Sequence, residues 1–384
     1  MVALESRIEQ ALQRTVADGT LVGVAAAAWA QGRSVRAAFG DASEGLAMQP
    51  DTVVWIASMT KAITAAAVMQ LVERGVVELD QPAGDLVPYL AGVQVLDGFG
   101  ADGQPILRPP VRPVTLRHLL THTSGFGYDF ADASLARYRT TCSTAEPGSQ
   151  ASYEDPLVSD PGEQWSYGIG IDWAGRVVET GSGRRLDAYL DQELLEPLAM
   201  RDTTFERSAP QRARSASMHL RTDAALSPFP FELPAAPEML MGGGGLYSTA
   251  DDYLRFARMI LDGGTLDGAR VLSPATVATM TRNHLGDLSA PGWASQHPVL
   301  TNDVALFPGE QTGWGLSFLV NLHRTAEGRS PGSVAWAGLC NSYYWIDPTA
   351  EVAGVFVTQV LPFFDAGAID AFAAFERAVY DSQA

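Results

Sequence analysis

Lysine is almost absent from this 384-residue chain. Of its 26 basic residues, all but Lys61 are arginine. Arginine does not deprotonate in proteins, whereas a desolvated lysine can serve as a base. A chain that uses arginine wherever a plain cation suffices therefore marks its one lysine as a candidate for proton chemistry. Cysteine is scarce as well: Cys142 and Cys340 are the only two, which argues against a disulfide framework and leaves both as small apolar residues. Charged residues make up 18%, and the net charge of −18 argues against nucleic acid and anionic membrane surfaces as partners, because both require basic patches. The longest apolar run, Leu21 to Ala30, is far short of the ~20 residues that span a bilayer. The first residues carry Glu5 and Glu9 instead of a basic start and an apolar stretch, so no signal peptide is read and a cytoplasmic location is expected.

What is present suffices for a large core: 46% of residues are hydrophobic. Leu4, Ile8, Leu12 and Val16 fall at helical spacing and predict an amphipathic first helix. Residues 22–40 read as two strands joined by a Gln31-Gly32 turn, and residues 52–57 as a short extended run. A helix is predicted from Ser58, with Ile63, Val68, Leu71 and Val72 apolar and Gly75 ending it. TLRHLL at 115–120 is a short helix, and residues 167–182 are a buried loop opening into another. Four glycines at 242–245 precede a helix capped by Ser248 or Thr249. Strands are expected in TGWGLSFLVN, SVAWAG, SYYWID and EVAGVFVTQV, with DAFAAFERAVYDS as a closing helix. Residues 125–160 and 286–310 are long loops, a length that tends to carry function. Strands at both ends with helices between them predict an α/β fold in two lobes, 1–83 with 246–384 and a mostly helical 84–245. The site is expected between the lobes.

The chemistry centres on Ser58-Met59-Thr60-Lys61. A serine hydroxyl is a weak nucleophile until a neighbour takes its proton. Three residues of helical spacing put Lys61 and Ser58 on one face of the first turn. The free N–H groups of a helix start disfavour an ammonium, which would lower the Lys61 pKa.

The segment WIASMTKAITAAAVMQLVERG resembles the nucleophile region of class C β-lactamases, penicillin-binding proteins and family VIII carboxylesterases, which share the S-x-x-K pattern. TLRHLLTHTSGF, GGGGLYSTADDYLRFARMIL, LSPATVATM and GWGLSF extend the likeness along nearly the whole chain. The resemblance implies a β-lactamase/DD-peptidase-like fold: an antiparallel sheet flanked by the N- and C-terminal helices, with a mostly helical inserted lobe. It implies that Tyr167 takes the tyrosine place of the family's Y-x-N motif, sharing a proton with Lys61. Ile169 stands where lactamases keep Asn. Trp336-Ala337-Gly338 stands where they keep K-T-G or H-T-G, and W-x-G is similar to the esterase branch, including 1,4-butanediol diacrylate esterases and statin acyltransferases. By the same resemblance the Ser58 and Leu339 amides form the oxyanion hole. Trp336, Gly338, Ile169, Trp165 and Tyr343 are expected to line the substrate site, with Gly338 admitting the acyl group. Trp173 and Trp345 are expected in the core.

Other patterns are read as structural. Gly328-Arg329-Ser330-Pro331-Gly332 matches G-x-S-x-G without the strand and helix of a nucleophile elbow. His118 and His122 lack the Glu of a zinc H-E-x-x-H motif, and His122 and Ser124 are read as turn residues. The expectation is thus a serine esterase acting through acyl-Ser58 on a small-molecule ester, without metal or cofactor. An acyltransferase using the same acyl-enzyme, or a β-lactam or amide hydrolase, is the alternative.

Overall fold

A computed structural model describes residues 4–143, 145–223 and 225–381. The first helix, α1 (Leu4–Ala17), buries Leu4, Ile8 and Leu12 as its periodicity predicts. Two strands follow, β1 (Gly23–Ala30) and β2 (Arg33–Ser43), then the short β3 (Leu46–Ala47) and β4 (Val54–Trp55). Helix α2 (Thr60–Glu73) begins two residues beyond Ser58, which sits in a 3₁₀ turn, Ala57–Met59. Next come α3 (Leu116–Leu120), α4 (Ala133–Cys142) and α5 (Gly170–Ser182). The short β5 (Tyr247–Ser248) leads into α6 (Ala250–Leu261), whose N-cap is Thr249.

The C-terminal strands are β6 (Gly313–Trp314), β7 (Leu319–Val320), β8 (Val334–Gly338), β9 (Ser342–Asp347) and β10 (Val352–Val357). Helix α7 (Ala366–Tyr380) follows them, and Ser382 of the expected closing helix lies outside the described residues. Residues 312–321 form a hairpin instead of the single expected strand. Ser317 turns the chain at φ 74, and Leu319 pairs back to Trp314.

Among the described residues eight strands form one antiparallel sheet in the order β6-β7-β8-β9-β10-β1-β2-β3. The two chain ends meet where β1 pairs with β10, Ala27 opposite Val355. Alternation sorts the sheet into two faces. Ala26 and Ala28 pack with α1 and α7, whereas Ala25 and Ala27 face the larger core that holds α6 and the helical side of the molecule. Small residues on β1 let both layers approach closely.

Helix α2 is buried on all sides from Thr60 to Leu71. The apolar face expected for it is thus a full circumference, the pattern of a helix in the middle of a core. It packs against α5 and sits beside β8 through the 3₁₀ turn. That central placement carries Ser58 and Lys61 to the boundary between sheet and helices. No helix among the described residues is long and apolar enough to cross a membrane.

Candidate active site

The nucleophile turn is held from several directions. Strand β4 pairs with β5, and Ile56 N–H donates to Leu246 O at 3.1 Å. Tyr253 of α6 donates its hydroxyl to Met59 O at 2.9 Å. Ala57 is left at φ 44, a strained conformation for a residue with a Cβ. Gly338 ends β8 against this turn: a Cβ there would stand 2.4 Å from Ile56 O. The glycine thus allows close contact between β8 and the Ser58 turn.

Lys61 is completely buried. Its ammonium nitrogen donates to Ser58 Oγ at 3.0 Å, Tyr128 Oη at 3.0 Å and Gly243 O at 2.7 Å. Three partners match the three protons of an ammonium. A neutral amine is equally well served: it donates to Gly243 O and the Tyr128 oxygen and accepts from the Ser58 hydroxyl. The cage therefore accommodates both states of a proton carrier. Burial pushes the Lys61 pKa down to about 7, with the Asp172 charge opposing the shift. Desolvation, and not the helix start, is the main cause.

Tyr167 packs its ring 4.9 Å from Lys61 Nζ, and its hydroxyl is near enough to Ser58 for the two to interact. Trp336 donates its indole Nε1–H to the Tyr167 hydroxyl at 3.1 Å. Burial pushes the phenol well above its ordinary range, so Tyr167 keeps its proton at neutral pH. His122 positions the tyrosine from below. Its carbonyl accepts from Ser166 N–H at 2.8 Å, and its Nδ1 accepts from Gly168 N–H at 3.4 Å. His122 is buried and held neutral, its pKa lowered by desolvation.

Rings enclose this relay. Trp293 stacks parallel on Tyr167 at 5.0 Å, Tyr128 lies at 5.3 Å and Trp165 at 6.0 Å. Phe130 stacks on Tyr128 at 4.8 Å. Gln296 N–H donates to Phe130 O at 2.8 Å, which ties the segments 125–160 and 286–310 together beside the site. Ile169 is buried in the core at the start of α5. Tyr343 requires a correction. Strand alternation turns it to the opposite face of the sheet, where it stacks on Phe372 of α7 at 4.6 Å and donates to Asn341 Oδ1. Its neighbour Tyr344, opposite Trp336, is the one on the site's side. Trp173 and Trp345 are buried in the core as expected. Arg329 of the G-x-S-x-G stretch forms a buried ion pair with Glu376.

Sequence reasoning missed Tyr128, Asp172, Gly243 and Trp293. Tyr128 lies just before α4 in the segment expected as a long loop at 125–160. Trp293 lies in a two-residue strand, Gly292–Trp293, paired with Val304–Ala305 in the segment expected as a loop at 286–310, so neither segment is a loop throughout. Three of the four glycines act as a backbone comb: Gly242 O accepts from Thr64, Gly243 O from Lys61 and Gly244 O from the Trp55 indole. A Cβ on Gly243 would meet Asp172 Oδ2 at 2.5 Å, and one on Gly245 the Phe205 ring at 2.9 Å.

Ser58, Lys61 and Tyr167 gathered between an antiparallel sheet and a helical layer match a serine hydrolase or acyltransferase of the β-lactamase fold. The family profile "Beta-lactamase" matches residues 8–378, and the chain belongs to that family. It is 33% identical to lovastatin esterase of Penicillium rubens, over 82% of this chain and 81% of the relative. It is 32% identical to monacolin J acid methylbutanoyltransferase of Aspergillus terreus, over 87% and 83%. The unliganded simvastatin synthase of Aspergillus terreus superposes with a TM-score of 0.85 at 29% identity, covering 100% of both chains. The chain is thus close to the statin acyltransferases and to lovastatin esterase.

Proposed function

We propose that the chain is a serine esterase that cleaves carboxylic esters through an acyl-Ser58 intermediate. The observation that carries this reading is the 3.0 Å contact between Ser58 Oγ and a buried Lys61 whose pKa lies at about 7. A base poised near neutrality is what nucleophile activation requires. Neutral Lys61 takes the Ser58 proton as Oγ attacks the ester carbonyl. The amides of Ser58 and Leu339 receive the oxyanion, a single such donor contributing about 3 kcal/mol. Tyr167, protonated and beside Ser58, hands its proton to the leaving alkoxide and is reprotonated from Lys61. Water then attacks the acyl group by the reverse path.

Esters are favoured over β-lactams on two counts. Ile169 offers no hydrogen bond to an acylamido group. Trp336, where the resemblance expects a cation, directs its only donor at Tyr167 and leaves no charge for a lactam carboxylate. A second reading, transfer of the acyl group to another alcohol, is favoured by the aromatic enclosure of the relay and by the methylbutanoyltransferase among its relatives.

The test is turnover of p-nitrophenyl butyrate and of a chromogenic cephalosporin by wild type and Ser58→Ala. Ester cleavage lost in the variant, with little cephalosporin turnover, is the expected result. Dominant cephalosporin turnover would overturn the ester assignment.

A further inference from the structure

Among the described residues Asp172 is the carboxylate whose charge acts on Lys61, and the relay described above does not use it. It lies in the first turn of α5, 1% exposed. Its Oδ1 accepts from Gly243 N–H at 2.9 Å, and the carbonyl of the same glycine accepts from Lys61 at 2.7 Å. Asp172 and Lys61 thus grip Gly243 from either side of its Cα. Asp172 Oδ2 is buried without a hydrogen-bond partner among the described residues. It lies against Gly243 at a point where any Cβ would collide. A buried carboxylate with an empty acceptor oxygen is costly unless a nearby positive charge compensates it.

We propose that Asp172, ionised, is a positioning residue for the lysine base: it fixes Gly243 against Lys61 and stabilises the ammonium formed when Ser58 is deprotonated. This rests on the Ser58 reading above. Before attack the pair holds neutral Lys61 and an Asp172 carboxylate. As the Ser58 Oγ–carbonyl carbon bond forms, the proton passes from Oγ to Nζ. The pair becomes ammonium and carboxylate, and the displaced carbonyl electron pair carries its negative charge to the oxyanion. Asp172 therefore meets a full positive charge only once the reaction is under way, which is the condition for lowering a barrier.

The other titratable groups facing the pair are Tyr128, Tyr153, Tyr167 and His122. Burial raises the three phenols and lowers His122, so all four are neutral at neutral pH. Arg139, whose charge acts on Tyr128 and Tyr153, is tied to Asp155 at 2.5 Å and Asp129 at 3.7 Å. Burial raises the Asp172 pKa to about 6, below the value of about 7 for Lys61. The catalytic pairing of carboxylate and amine is thus the form present above both.

Because the chain has one lysine, a lysine isotope-labelled at Cε gives a single NMR signal that reports on Lys61 directly. In the wild type that signal is expected to titrate at about 7, with a second inflection at about 6 as Asp172 ionises. Asp172→Asn should erase the second inflection and move the first down by about one unit or more, because a nearby anion is lost. The acid limb of p-nitrophenyl butyrate turnover should follow, with kcat reduced. Asp172→Glu should keep the Lys61 midpoint within about half a unit of wild type. A wild-type signal with one inflection, or an Asp172→Asn signal at the wild-type midpoint, overturns the proposal. The wild-type arm decides even if the variant fails to fold. Absence of fluorophosphonate labelling at Ser58 would refute the esterase reading, whereas the lysine signal judges Asp172 separately.

Discussion

Trp336 donates its only hydrogen-bonding group to the hydroxyl of Tyr167, 3.1 Å away, and so holds that phenol next to Ser58. The residue that stands where the resemblance expects a cation is turned inward, onto Tyr167. Trp336→Phe keeps most of the ring packing and removes the N–H. A loss of about 1 kcal/mol of orientation corresponds to a several-fold fall in kcat. Tyr167→Phe should cost about 10²- to 10⁴-fold, because the proton itself is missing. Steady-state kinetics of both variants on one chromogenic ester check the order.

Lys61→Arg retains the charge and loses the base. Arginine stays protonated at all accessible pH values, and its fork has no room in a cage built for three single contacts. Turnover should fall by about 10²- to 10⁴-fold. The rate of Ser58 labelling by a fluorophosphonate should fall with it, which separates a loss of activation from a loss of substrate binding.

The pH dependence follows from the direction of the Lys61 shift. Its pKa falls from 10.5 to about 7, so the neutral base exists above about 7 and is lost as pH falls through that value. A plot of kcat/KM should therefore show an acid limb centred near 7. Tyr167 is shifted upward and stays protonated across the same range, so it adds no alkaline limb below its own raised pKa. A limb near 4 to 5, the ordinary range of a free carboxylate, would contradict lysine as the base.

Tyr128→Phe removes one of the three acceptors of the ammonium. An unpaired buried N–H disfavours the charged form by about 1–3 kcal/mol. The acid limb should move to lower pH, with a smaller loss of kcat than for Tyr167→Phe.

Gly338→Ala places a Cβ 2.4 Å from Ile56 O, backbone that cannot swing aside. Strand β8 and the nucleophile turn must separate. The expected outcome is a stability loss of about 1–3 kcal/mol in chemical denaturation together with loss of ester turnover.

The local elements were readable because their signals are local. The Gln31-Gly32 turn, the Thr249 cap and the periodicity of α1 each depend on residues a few positions apart. Ser58 and Lys61 were readable for the same reason, being neighbours on one turn. Tyr343 was misassigned because proximity in sequence to Trp336 says nothing of which sheet face a side chain takes. That is set by register, which pairs Ala337 with Tyr343 and Trp336 with Tyr344. Asp172 stood in view inside an apolar stretch, but its partner Gly243 is 71 residues away and was seen only as one of four glycines.

The sequence by itself marked Ser58 and Lys61 as the candidate pair and set out the order of most elements that build the sheet. It did so through a unique lysine at helical spacing from a serine, and through apolar periodicities. Tertiary structure alone decided that this lysine is buried and its pKa lowered. The shift to about 7 arises from burial of Lys61 in a helix enclosed on every side, with the Asp172 charge opposing it. Desolvation depends on what surrounds a charge in space, and no spacing along the chain encodes it.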